Sequence, residues 1–337
     1  MNFKRPFGKL EDRTEINEVE IGAGALRAKV LTWGTVLRDL RLDGFDHPLV
    51  LGFDHLEDYT QHSPYFGATV GRYANRIGYG RFELDGRTHQ LSQNTEPHHL
   101  HGGHASFGKR LWTVGAIAPD SIRLTLVSPD GEDGYPGRVM VSCTYKIVPP
   151  ASLHIIYEAT TNAPTLMNLA HHSYFNLDGS PDILDHTLQI EADAYTPVSK
   201  DMIPSGAVLP VKNTLFDFRE ARPVRTLHEG RRIAFDTNYV LALAPRPNPV
   251  SAARLSSPRT GLSMDVLTTE PGLQFYDGYK VNVPVPGLDG RTYGVSAGLC
   301  LEPQRWPDSP NHRHFTDATL RPGESYFQET IYRFNMS

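Results

Sequence analysis

Apolar and polar residues alternate with period two along most of this chain, the pattern of strands that bury one face. In Ser121–Val127, Ile122, Leu124 and Leu126 share a face, and in Val139–Ile147 so do Val139, Val141, Cys143, Tyr145 and Ile147. The alternation continues through Leu153–Ala159 and into the C-terminal Ser325–Phe334. A hairpin is expected in Arg81–Leu91, because Asp85-Gly86 supplies the positive φ angles of a tight type I′ turn. Similar breaks stand at Pro129-Asp130-Gly131 and Leu288-Asp289-Gly290. Helical periodicity is scarce: Phe53–His62 can make two turns, and little else exceeds one. No repeat of fixed period is visible. The Pro-rich Ala244–Val250 reads as a loop within one domain, since strand-like sequence resumes at Gly261–Thr269. The expected fold is all-β and mostly antiparallel, with few short helices and one domain over residues 1–337.

Charge and composition narrow the function. With 33 basic and 38 acidic residues, the net charge of −5 offers no basic excess for a nucleic acid. No apolar run approaches the ~20 residues that span a bilayer, so no membrane partner is expected. The first fifteen residues lack the apolar core of a signal peptide, and a cytoplasmic location is the expectation. Cys143 and Cys300 stand in apolar or alternating stretches and read as small buried residues rather than a disulfide or a reactive thiol.

The segment Asn168–Asn176, NLAHHSYFN, packs His171 and His172 among apolar and aromatic residues. A partly desolvated imidazole there can exchange protons near neutral pH. Far downstream, Leu299–Asn311 places the lone carboxylate Glu302 after an apolar run. An acid and a base on separate strands, with neither a Walker pattern nor a GxSxG elbow, point to simple proton transfer. Adjacent strand residues face opposite ways, so only one of the two histidines can meet Glu302.

Other polar residues form a candidate binding set. Four of the 15 histidines cluster at His98, His99, His101 and His104. His99 and His101 have a spacing that puts two rings on one strand face, but no acidic residue follows until Asp120, and no metal site is expected. His98, His99 and His104 read as surface and turn residues around Gly102-Gly103; His101 is the one expected in a pocket. Asn75-Arg76 offers either a structural ion pair or a hydrogen-bonding pair for a polyhydroxylated ligand. Asp236 begins an apolar strand, as a cap or as a functional carboxylate. Gln274 and Tyr276 share one strand face while Phe275 takes the other, which suits a polar pocket backed by core.

Together these segments resemble the aldose 1-epimerase (galactose mutarotase) family across nearly the whole chain. The strings that carry the resemblance are GRYANRI, LHGG, NLAHHSYFNLDG, AYTPVSKDMIPSG, FDTNYV, TTEPGLQFY and LEPQRWPD. It implies a large β-sandwich of the galactose mutarotase type, a sugar site on one open face, no required cofactor, a monosaccharide as partner, and a monomer or homodimer. Carried over by motif, His172 is the general acid and Glu302 the general base. Asn75, Arg76, His101, Asp236 and Gln274 contact sugar hydroxyls, His101 close to the ring oxygen, with Ser173 and Tyr174 lining the same pocket. A glutamate near ~4.3 and a histidine near ~6.5 in water are suited to those roles at neutral pH. Two departures stand out. His171 occupies a position where the family commonly has a residue such as asparagine, and Ala105-Ser106-Phe107 follows LHGG where a Gly-Phe pair is frequent. Lys109-Arg110 is the nearest approach to a basic rim for a sugar phosphate. A glycoside hydrolase using Asp236 with Glu302, and a sugar-binding module without chemistry, are the alternatives.

Overall fold

The computed structural model describes residues 4–336. The largest sheet has nine strands, and its centre runs Val139–Val148, Ser152–Thr161, Tyr326–Met336, Leu262–Thr268 and Val250–Ser256, each pair antiparallel. A second sheet of five strands orders Leu209–Pro210, Ala194–Thr196, Asp236–Val240, Gly272–Tyr276 and Cys300–Gln304. A third, of four strands, forms from Lys4 to Leu42.

The period-two pattern decides how these sheets pack. Ile122, Leu124, Leu126, Val139, Val141, Cys143, Tyr145 and Ile147 are all buried, as their shared faces require. They join one apolar cluster with Tyr239, Leu273, Phe275 and Leu301 of the five-stranded sheet and with Val19, Ile21 and Val30 of the N-terminal one. The Tyr332 hydroxyl donates to the Leu301 carbonyl at 3.1 Å, tying the two larger sheets face to face as a β-sandwich. The opposite face of the five-stranded sheet is polar. There Asn238, Gln274 and Glu302 are register partners across three strands, and Asp236, Tyr276 and Cys300 form the next row. A slip of one residue would bury those groups and expose Leu273, Phe275 and Leu301.

The expected local elements are present. Among the described residues the α-helix is Leu56–Gln61, inside Phe53–His62. Arg81–Leu84 and Arg87–Gln90 pair as a hairpin, with Asp85 and Gly86 at φ 49° and 73°. Ala244–Val250 joins the strand Asp236–Val240 to the strand Val250–Ser256 of the other sheet. Among the described residues no helix is long and apolar enough to cross a membrane.

One expectation needs correction. His98 and His99 are buried, not surface residues. His99–Leu100 pairs with Arg76–Ile77, so the chain runs inward there and turns only afterwards. His99 bridges the Ser92 carbonyl at 2.7 Å and the Tyr135 hydroxyl at 2.6 Å, while His98 Nδ1 accepts from the Tyr79 N–H at 3.0 Å. His104 is exposed as expected.

The turn beyond this pair depends on Gly102, at φ 86°, where a Cβ would lie 1.7 Å from the Gly71 carbonyl oxygen. Gly102→Ala is expected to cost about 2–4 kcal/mol in urea denaturation, since strain and a backbone clash combine. Gly86→Ala, at a similar φ in open space, should cost only about 1 kcal/mol.

Candidate active site

The polar face of the five-stranded sheet meets two other segments: Tyr65–Ala74, which pairs through Thr69–Val70 with Ala170–His171, and the turn at His101. His172 follows that short strand, and its backbone is anchored by N–H to the Ala68 carbonyl at 2.9 Å and by carbonyl to the Gly67 N–H at 3.0 Å. Its Nε2 stands 3.6 Å from Glu302 Oε2, and its Nδ1 stands 3.5 Å from the Cys300 sulfur. Burial pushes the Cys300 thiol well up, so the thiol keeps its proton and can donate to Nδ1. The other nitrogen then carries the imidazole proton, facing the carboxylate.

Both members of this pair are almost closed to solvent, at 5 % and 3 % exposure. Burial lowers His172 to about 4. It raises Glu302 well above the usual carboxylate range, with Asp236 adding to the rise and Arg76 opposing it. The solution values of a free glutamate and a free histidine therefore do not carry over. Desolvation favours the uncharged forms of both groups.

The other expected residues lie as follows. His101 is buried; its Nδ1 accepts from the Asn75 N–H at 3.1 Å, which leaves Nε2 as the donor of a neutral ring. Burial first, then His172 and Arg76, hold His101 well below its ordinary value. Its ring centroid is 5.3 Å from that of His172. Asn75 orders Arg76 by accepting its N–H at 2.9 Å. The Arg76 side chain is half-buried and has no carboxylate partner among the described residues. Gln274 Nε2 donates to Asp236 Oδ1 at 2.6 Å. Gln304 Nε2 lies 3.3 Å from Gln274 Oε1 and 3.2 Å from Asn238 Oδ1, so the orientation of each amide is set by the next. Tyr174 packs on His172 at 5.2 Å and donates its hydroxyl to the Pro64 carbonyl.

Ser173 is placed otherwise. Its hydroxyl is buried and lies 2.7 Å from His171 Nε2, in the packing behind His172 rather than beside the carboxylate. His171 itself faces Tyr145 and Tyr332 of the nine-stranded sheet, and burial lowers it to about 3.

Tyr65 was not marked by any periodicity, since it sits in a turn at φ 66°. Its ring stacks on His172 at 5.8 Å and leans on His101 at 5.0 Å, so it walls both imidazoles from water. The clue in the sequence is two aromatic residues between Pro64 and Gly67. Of Lys109-Arg110, only Lys109 reaches this wall, 5.7 Å over the Tyr65 ring; Arg110 pairs with Glu132. As for a metal, His172, Cys300 and Glu302 are the one group of three among the described residues whose ligating atoms all lie within 4.8 Å of one another.

One face of this β-sandwich thus brings together a buried imidazole and carboxylate, amides, the Arg76 side chain and a second imidazole, groups suited to acid–base chemistry on a polyhydroxylated ligand. The sequence profile of the aldose 1-epimerase family matches residues 17–333, and the chain belongs to that family of isomerases, whose substrates are sugars. It is 40% identical to the galactose mutarotase of Mus musculus, over 96% of this chain and 95% of that protein. It is 35% identical to the aldose 1-epimerase of Escherichia coli K12, over 90% and 91%. Among solved structures, the GalM/aldose epimerase homologue from C. elegans superposes with a TM-score of 0.88 at 32% identity, covering 95% of this chain and 98% of that one.

The two adjacent histidines separate by experiment. His171→Leu leaves the buried Ser173 hydroxyl unpaired and should lower stability by about 1–3 kcal/mol while most of kcat survives. His172→Asn should keep its stability and lose turnover. Turnover lost in a folded His171 variant and kept in His172→Asn would reverse the assignment.

Proposed function

We propose that this protein interconverts the α and β anomers of a free aldose, with His172 as general acid and Glu302 as general base. The observation that supports it most is the 3.6 Å approach of His172 Nε2 to Glu302 Oε2 on a polar sheet face. Opening a pyranose needs one proton delivered to the ring oxygen and one removed from the anomeric hydroxyl. A sugar lying between these groups receives the first from imidazolium and gives the second to carboxylate. The C1–O5 bond breaks, and its electron pair stays on the protonated ring oxygen as a carbonyl forms at C1. Rotation about C1–C2 presents the other carbonyl face, and the same two protons return on closure.

The proton count of the pair is unchanged over the cycle, so no exchange with water is required. Opening converts an ion pair into two neutral groups, the forms that burial favours. The closed sugar needs the charged forms, and Arg76 supports them on the carboxylate side. Neutral His101, with Nε2 as donor, is suited to the ring oxygen. Asn75, Asp236 and Gln274 are suited to hydroxyls away from C1. The finer expectations that accompany this reading are a single domain, a monomer or homodimer, and a cytoplasmic location. Galactose, named for the mammalian relatives, and glucose are the first substrates to test.

Polarimetry of freshly dissolved α-D-galactose and α-D-glucose should show faster relaxation with protein than without; an unchanged rate across both hexoses and a pentose panel overturns the reading. Glu302→Gln and His172→Asn should each reduce kcat by about 100-fold or more, the scale of one positioned proton transfer.

The mechanism needs one proton on the pair, and burial sets Glu302 above His172, so kcat/KM falls at high pH as Glu302 loses that proton. Arg76 holds the Glu302 pKa down, so Arg76→Gln should move the alkaline limb of the profile to higher pH.

A further inference from the structure

The segment that carries Glu302 carries a second buried carboxylate with no part in the proton transfers. Asp308 lies six residues beyond Glu302, 3 % exposed and at φ 57°. Its N–H donates to the Arg76 carbonyl at 2.9 Å. Its Oδ1 accepts from the Gly78 N–H at 2.8 Å and from Asn311 Nδ2 at 2.6 Å, and its Oδ2 is 3.5 Å from His312 Nε2. One residue thus grips the backbone on both sides of Ile77, across more than two hundred residues of chain. The loop behind it is itself fixed, since the Tyr73 hydroxyl donates to the Trp306 carbonyl and accepts from the Ser309 N–H, both at 3.0 Å.

These bonds matter because, among the described residues, the Arg76 side chain has none of its own to a carboxylate. Its place is set by its backbone: by Asp308 on one side, and by the Asn75–His101 exchange of N–H bonds on the other. A carboxylate needed only to cap the turn Ser309–Asn311 would have no reason to accept the Gly78 N–H.

We propose that Asp308 is a positioning residue that fixes the Arg76 backbone beside His101 and the polar sheet face, so that one segment supplies both the base and the clip for the cation nearby. The charged and titratable groups around Glu302 are Arg76, Asp236, His172 and Cys300, with Tyr174 and Tyr332 alongside. Those around Asp308 are His312, His98 and Tyr73. Of all these, Arg76 is the one whose backbone Asp308 holds. Freed from the clip, the guanidinium wanders, its pull on Glu302 weakens, and sugar binding loosens with it.

This inference rests on the mutarotase reading, and the test separates the two. The pH profile of kcat/KM is measured by polarimetry for the wild type, Arg76→Gln, Asp308→Ala and the double variant. A wild type without activity removes the functional reading itself. With an active wild type, Asp308→Ala should move the alkaline limb upward by about half a pH unit and lower kcat/KM by about 10- to 100-fold. The double variant should match Arg76→Gln alone, because two changes acting through one group do not add. An alkaline limb that stays in place in a folded Asp308 variant, or shifts that simply add in the double variant, overturns the proposal. Thermal unfolding checks the fold, and Asp308→Ser, which keeps one acceptor, carries the test where the alanine variant does not fold.

Discussion

The constraint on which the rest of this structure depends is that two titratable groups, His172 and Glu302, lie 3.6 Å apart and almost wholly out of water. Burying an imidazolium and a carboxylate is costly unless each finds partners. The surroundings act on the pair in both directions. Desolvation and Asp236 push Glu302 towards the acid, and Arg76 draws it back. On the imidazole side, Tyr65 and Tyr174 cover the His172 ring, and the Cys300 thiol stands at Nδ1.

The same balance explains why so much of the site is held by neighbours rather than left to adapt. Gln304, Gln274 and Asp236 form a row of polar contacts, and the Asn238 amide lies 3.2 Å from the Thr196 hydroxyl. Each amide in that row has its oxygen and nitrogen assigned by the next, so Asp236 Oδ1 is occupied and its other oxygen is the one left for a ligand. A preorganised donor or acceptor costs no rearrangement when charge moves. His101 follows the same logic, with its tautomer decided by a single backbone N–H of Asn75.

Much of this was legible in the sequence wherever a face could be read from alternation. Phe275 is core and Gln274 lies on the polar side because neighbours on a strand alternate, and the same rule separated His171 from His172. The partners across strands were not legible: that Gln274 stands between Asn238 and Glu302 follows from pairing register, which only the folded sheet decides. His98 and His99 were misplaced because polar residues beside two glycines read as a turn, whereas the chain pairs with Arg76–Ile77 before it turns. Ser173 was carried to the pocket by its motif, yet its hydroxyl serves His171. Tyr65 and Asp308 escaped notice for a shared reason. Both sit at positive φ in irregular segments, where periodicity carries no signal and long-range contact decides the role.

The chemistry also limits how tightly the sugar can be held. The two anomers differ only at C1, and the open chain must turn about C1–C2 within the site. Contacts to the remaining hydroxyls can persist through the cycle, so rigid groups such as Asp236 and Gln274 suit them. A contact that gripped the anomeric hydroxyl in one orientation would favour one anomer and slow the return. Under the proposed roles, the single carboxylate of Glu302 meets this requirement because either of its oxygens can accept a proton. The ring oxygen, by contrast, must remain within reach of one acid throughout, and the backbone bonds of His172 to Ala68 and Gly67 anchor that imidazole. Mobility in that mechanism is confined to the reacting carbon of the substrate, while the protein supplies a fixed frame.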